Sequence, residues 1–169
     1  MSQDGTIAII SREGASNRKN GIFILDVTNP YDVKVLSEYT KNLNGGVHNL
    51  FIDNDHAYVL GTGERYYILN IEDPTNPVEV GMFEVGTEGQ NIHDVWIEDG
   101  IAYSSNWRDG VYLVDVGNGI AGGSPSNPVP FSNFTYASGA NHAAFPFKSK
   151  STGTFYVVLC DEIFPEGVN

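Results

Sequence analysis

The chain has 169 residues, of which 41% are hydrophobic, and 9 Lys and Arg stand against 21 Asp and Glu for a formal net charge of −12. That length suits one domain with its own core, and the acidic balance argues against nucleic-acid backbones and anionic membrane surfaces as partners. Cys160 is the only cysteine, which excludes an internal disulfide framework and any multi-cysteine metal cluster. No run reaches the ~18 to 20 apolar residues of a spanning helix, so no membrane insertion is expected, and MSQDGTIAII lacks the basic start and long apolar core of a signal peptide.

In chain order, the first segment, TIAIISREGASNRKNGIFILDVTNPYDVKVLSEY (Thr6 to Tyr39), holds three short runs rich in branched and aromatic residues, which predict strands. The next, from Val47 to Val85, holds four: VHNLFID, HAYVL, YYILNI and VEVGMFEV. Asn54-Asp55, Gly61-Thr62-Gly63 and Asp73-Pro74-Thr75-Asn76-Pro77 lie between them and carry turn chemistry. The third, from Ile92 to Tyr136, repeats the second: His48 and His93, Tyr58 and Tyr103, and Asn70 and Asp115 are each 45 residues apart. Asp26 lies 44 before Asn70, so the first segment joins this register late and lacks the first strand of the unit. The last segment, NHAAFPFKSKSTGTFYVVLCDE, places His142 at 49 after His93 and has only the first half of the unit.

No stretch shows a sustained 3.6-residue period with caps, so the chain reads as all-β. Four strands of about five residues in a period near 45 match the blade of a β-propeller, whose repeats run ~40 to 50 residues. The units fall at about 5–45, 46–90, 91–140 and 141–169, three to four blades of a single propeller segment. Closed propellers have ~4 to 8 blades. A partial propeller or a fragment of a larger ring is therefore expected, completed by the remainder of a longer protein or by a second copy of the chain.

GIFILDVTNP, YYILNIEDPTNPVEVGMF and GVYLVDVGNG resemble the LVIVD-repeat family, whose repeats carry a strand of that type ending in aspartate and followed by an Asn-Pro turn. The resemblance covers essentially the whole chain. It departs at Asn70, which replaces the usual aspartate, and at the insertion GNGIAGGSPSNP in the third unit. It implies a propeller acting as a binding or scaffold module, without a defined reaction, in an exported or surface-associated bacterial protein. A shorter stretch, HDVWIEDGIAYSSNWRDG, is similar to the selenium-binding protein and methanethiol oxidase family through His93, Asp94, Ser105, Asn106, Trp107 and Gly110. In that propeller group channel histidines are implicated in copper binding.

His48, His93 and His142 occupy one repeated position at the start of the innermost strand of successive blades. Converging imidazoles there suit a divalent transition metal, which would make the chain a metal-dependent enzyme of oxidoreductase or hydrolase type. The competing reading makes each histidine a cap on the loop before it, repeated because the unit was duplicated. Asp94 is not expected to partner His93, because successive side chains on a regular strand point to opposite faces. Asn49, Asp94 and Asn141 beside the histidines are expected to make backbone or interblade hydrogen bonds, and Asp161 and Glu162 after the last strand to line the same channel. Trp107 and Arg108 sit in a turn, where solvent-facing packing is the first reading and contact with a ligand the alternative, and Cys160 reads as a small buried residue rather than a nucleophile.

Overall fold

The computed structural model describes residues 1–17, 19–61, 63–86, 91–136 and 139–163. Thirteen strands and no helix form among them. Strands β1 (Ile7–Arg12), β2 (Gly21–Asp26) and β3 (Lys34–Tyr39) make a three-stranded antiparallel sheet. Next come a four-stranded sheet of β4 (Val47–Asp53), β5 (His56–Gly61), β6 (Arg65–Asn70) and β7 (Val78–Glu84), and another of β8 (Asp94–Glu98), β9 (Ile101–Ser105), β10 (Val111–Asp115) and β11 (Val129–Phe134). The last sheet pairs β12 (Asn141–Lys148) with β13 (Phe155–Asp161). Each sheet is a meander of strands consecutive in sequence.

The sheets stack in chain order, and the alternation of side chains along each strand shows how. On β5, Ala57 and Val59 join a buried cluster with Ile22 and Ile24 of the first sheet, while Tyr58 and Leu60 join one with Val95 and Ile97 of the third. On β6, Tyr66 and Ile68 face the third sheet and Leu69 the first. On β10, Val114 packs toward the second sheet and Val111 toward Ala144 of the fourth. A strand buried on both faces must be apolar at every position, which is why HAYVL and GVYLV lack the polar alternation of a half-exposed strand. Each fully buried aliphatic side chain contributes about 1.5–3 kcal/mol.

The end sheets present one uncovered face each among the described residues. Ile10 and Val35 of the first are exposed, as are Phe147, Tyr156 and Val158 of the last. Cys160 shares that last face and is exposed rather than buried. Its apolar surroundings in sequence mark a strand, but no described neighbour lies against this side of it.

The end of the third strand in each of the first three units repeats one hydrogen bond. Asp26 Oδ1 accepts from Thr28 N at 2.9 Å, Asn70 Oδ1 from Glu72 N at 3.0 Å, and Asp115 Oδ1 from Gly117 N at 3.0 Å. The turn needs a side-chain oxygen two bonds from Cβ and no charge, so Asn70 serves where the other units have aspartate. At Asp115 the insertion adds more donors: Gly119 N at 3.1 Å, Ala121 N at 2.7 Å and Gly123 N at 3.0 Å. The insertion also lies against β7, where a Cβ on Gly81 would sit 2.1 Å from the Pro125 carbonyl oxygen, so only glycine fits. Burial is the strongest influence on the Asp115 carboxyl and raises its pKa, but the four amides together outweigh it and hold the group below the ordinary carboxylate range.

Two outcomes follow from this packing. Replacing the fully buried Leu60 by alanine is expected to cost about 2–5 kcal/mol in denaturant unfolding. The same change at the exposed Ile120 should stay within about 0.5 kcal/mol. Asp115→Asn keeps the shape and removes the charge. Because the native carboxyl has the lower pKa, its stabilisation is present above the unfolded value of about 3.9 and is lost as pH falls through the native one. Wild type should thus be the more stable at neutral pH, with the gap closing in acid; a gap independent of pH would show that the charge is immaterial.

Candidate functional site

The first strands of successive sheets, β4, β8 and β12, lie side by side. In β4, Val47 pairs with Gly61 and Asn49 with Leu60, so His48 is an extra residue in the ladder. In β12, Asn141 pairs with Asp161 and Ala143 with Cys160, which leaves His142 as the extra residue in the same way. His93 precedes β8 and is held by its own N–H donating to Ser105 O at 2.7 Å. A β-bulge turns its residue out of the pleat and re-aims the side chain. The alternation expected of a regular strand is therefore broken here: His48 and its neighbour Asn49 both reach the next sheet, His48 to His93 and Asn49 to Asp94.

The three imidazoles form a row. Ring centroids are 4.5 Å apart between His48 and His93 and 4.4 Å between His93 and His142. His48 Nε2 lies 3.1 Å from His93 Nε2. Glu162, just past β13, brings its Oε2 within 3.2 Å of His93 Nε2 and 3.0 Å of His142 Nδ1. At the far end Glu13, just past β1, accepts a hydrogen bond from His48 Nδ1 at 2.7 Å. Below the histidines, Phe51, Trp96 and Phe145 make a second row, with centroids 5.0 and 5.3 Å apart, that fixes the spacing of the strands carrying them.

Of the residues singled out from the sequence, Glu162 joins the histidine row. Asn49 donates to Asp94 Oδ1 at 2.7 Å, a bond between sheets, and burial raises the Asp94 carboxyl although Val95 N also donates to it. Asn141 is buried and donates to the carbonyls of Ala143 and Cys160, bracing the bulge at His142. Asp161 is turned away from the row and accepts from the Tyr136 hydroxyl at 2.6 Å. Burial, with this bond to Asp161, pushes the Tyr136 phenol up to about 12.

Two contributors escaped the sequence reading. Trp107 is not a solvent-facing turn residue: its ring stacks on His93, centroids 4.9 Å apart and planes 25° from parallel. Its φ of 50° is unusual for a bulky residue, and Asn141 N holds it there by donating to its carbonyl at 2.8 Å. Glu13 is the other. Strand register supplies the signal that links them: Ile22 pairs with Ser11, Val111 with Ser105 and Ala143 with Cys160. Two residues on from Ser11, Ser105 and Cys160 stand Glu13, Trp107 and Glu162. One structural position thus delivers all three groups that flank the imidazoles; its counterpart Thr62 lies outside the described residues.

The electrostatics centre on His93, whose side chain is 16% exposed against 39% for His48 and 48% for His142. Burial lowers its pKa first, and the neighbouring His48 and His142 lower it further, against smaller opposing pulls from the His142 carbonyl and Glu162. The His142 carbonyl accepts from His93 Nδ1 at 3.3 Å, so the neutral ring carries its lone pair on Nε2. That lone pair points into the gap shared with His48 Nε2 and Glu162 Oε2. Acceptors so gathered call for a proton or a metal cation between them.

Without metal, His93 should titrate below the ordinary imidazole value of about 6.5 in an NMR pH series. As pH falls, the unfolded chain takes up this proton first, so stability should decline from about pH 6.5 until the native value is passed. His93→Gln should remove that part of the acid slope. A His93 titrating above 6.5 would instead mean that the carboxylates dominate the row.

The chain matches no protein-family model, and a comparison with curated proteins finds no match either.

Proposed function

We propose that the chain is a β-propeller binding module of the LVIVD-repeat kind, with one divalent transition metal held at its central end by His93, His142 and Glu162. The observation that carries this reading is their convergence: one ligand atom from each lies within 4.8 Å of the others, and His48 adds a further nitrogen at the edge of the group. With metal–ligand bonds of ~2.0 to 2.1 Å, the ligand atoms of a tetrahedral site are about 3.3 Å apart. Separations of 3.0 and 3.2 Å to Glu162 Oε2 need little adjustment to reach that. Imidazole and carboxylate without thiolate suit Zn, Cu, Fe or Ni more than Mg or Ca.

The propeller part of the proposal rests on sheets stacked in chain order with their first strands side by side, and on the repeat landmarks in sequence. Further blades, from a longer chain or a second copy, would cover the apolar faces of the end sheets. The same family resemblance is what supports a location outside the cytoplasm.

A second reading, a metal-dependent enzyme of oxidoreductase or hydrolase type, is favoured by one specific feature. A cavity of about 190 Å³, lined by Glu13, His48, Gly61, Gly63, Asn91 and His93, opens beside the row. Two histidines and a carboxylate are also a ligand set that leaves a catalytic metal one open position for water or substrate.

Protein purified after supplementation with Zn, Cu or Fe should carry close to one equivalent of metal by elemental analysis. His93→Ala and Glu162→Gln should each lose most of it. Metal-free wild type under all three supplements, or full occupancy in both variants, would remove the metal site from the proposal.

A further inference from the structure

We infer that Glu13 is a positioning residue for the metal site: it fixes the tautomer and orientation of His48 so that His48 Nε2 is offered as the fourth ligand. This rests on the metal reading above. Glu13 follows β1 of the first sheet, whose described residues include no histidine. That carboxylate lies 2.7 Å from His48 Nδ1.

The chemistry follows from what each atom can do. An ionised carboxylate only accepts, so Nδ1 of His48 must carry the hydrogen, and in the neutral ring Nε2 is then left with its lone pair. That atom faces His93 Nε2 at 3.1 Å. A ring whose other nitrogen donates to a carboxylate is the usual arrangement of a metal-bound histidine, since the carboxylate both selects the tautomer and makes the ligating nitrogen a better donor. His48 needs such help more than its neighbours. It sits on a bulge outside the strand ladder and lines the open cavity. Its side chain is 39% exposed and its ring meets that of His93 edge-on, whereas Trp107 stacks on His93 and Glu162 contacts both His93 and His142.

The repeat supports the assignment. Glu13 and Glu162 occupy the same place relative to the second strand of their sheets, one at each end of the row. Glu162 reaches the histidine of its own sheet and that of the sheet before. Glu13, with no histidine in its own sheet, reaches only the one in the sheet after. One carboxylate therefore serves as a ligand and the other as the orienter of a ligand.

The test combines Co²⁺ titration with a measurement that needs no metal. Glu13 is 57% exposed, so Glu13→Ala should fold as wild type does. Losing an orienting carboxylate typically weakens metal binding 10- to 100-fold. Glu13→Ala is expected to weaken Co²⁺ binding about 10-fold or more and to change the visible spectrum of the bound ion. His48→Ala should weaken it at least as much, and the double variant no more than His48→Ala alone. Separately, long-range ¹H–¹⁵N correlation at pH 8 should find metal-free His48 as the Nδ1–H tautomer in wild type and shifted toward Nε2–H in Glu13→Ala. An Nε2–H tautomer in wild type, or an equal loss of affinity from Glu13→Ala with and without His48, would overturn the inference. If wild type binds no Co²⁺, the metal reading falls, and an unchanged tautomer in Glu13→Ala would remove the role of Glu13 as well.

Discussion

Burial of the two middle sheets on both faces at once is the constraint from which the rest of the molecule follows. A half-exposed sheet can present polar residues on one side, but here Ala57, Tyr58, Val59 and Leu60 are buried in succession and feed two different cores. Sheets of this kind cannot exist singly. They must stack, and stacking them in chain order brings equivalent residues of successive units into register. The histidine row and the aromatic row beneath it are direct products of that stacking. They need no long-range connection beyond the contact of one first strand with the next.

The all-β character and the order of the strands were legible because apolar runs bounded by Asx, Gly and Pro are a local signal. GIFILD and HAYVL say strand on their own, and the spacing of 45 residues between His48 and His93 says that two strands share a role. What escaped the sequence depends on relations between strands. Cys160 sits in a run, FYVVLC, as apolar as the buried ones, and only the absence of a described neighbour on that side separates it from them. Glu13 lies 35 residues before His48 in a unit that lacks the histidine, so no repeat of the histidine points to it. Trp107 follows a strand and precedes a turn, and its place against His93 depends on an unusual backbone conformation that residue type alone would not suggest.

The site also shows why adjacency in sequence misleads on sheets. His93 and Asp94 are neighbours, yet the aspartate is engaged by Asn49 of the preceding sheet and the histidine by residues of the next. Both of these partners come from other units, while Trp107 and Val95 of the same unit add a stacked ring and a backbone hydrogen bond. The chemistry of this end of the molecule is distributed over four sheets, with Glu13, His48, His93 and His142 each contributed by a different one.

Because His48 and His142 are the supernumerary residues of bulges, neither occupies a rung of its ladder. The bonds that hold β4 to β5 and β12 to β13 are made by the residues on either side. Architecture and reactive groups are thus written in separate positions of the chain, and such a fold can gain, lose or exchange a side chain in the histidine row by inserting or deleting one residue. Stacks of the same sheets can in this way carry quite different chemistry at this end.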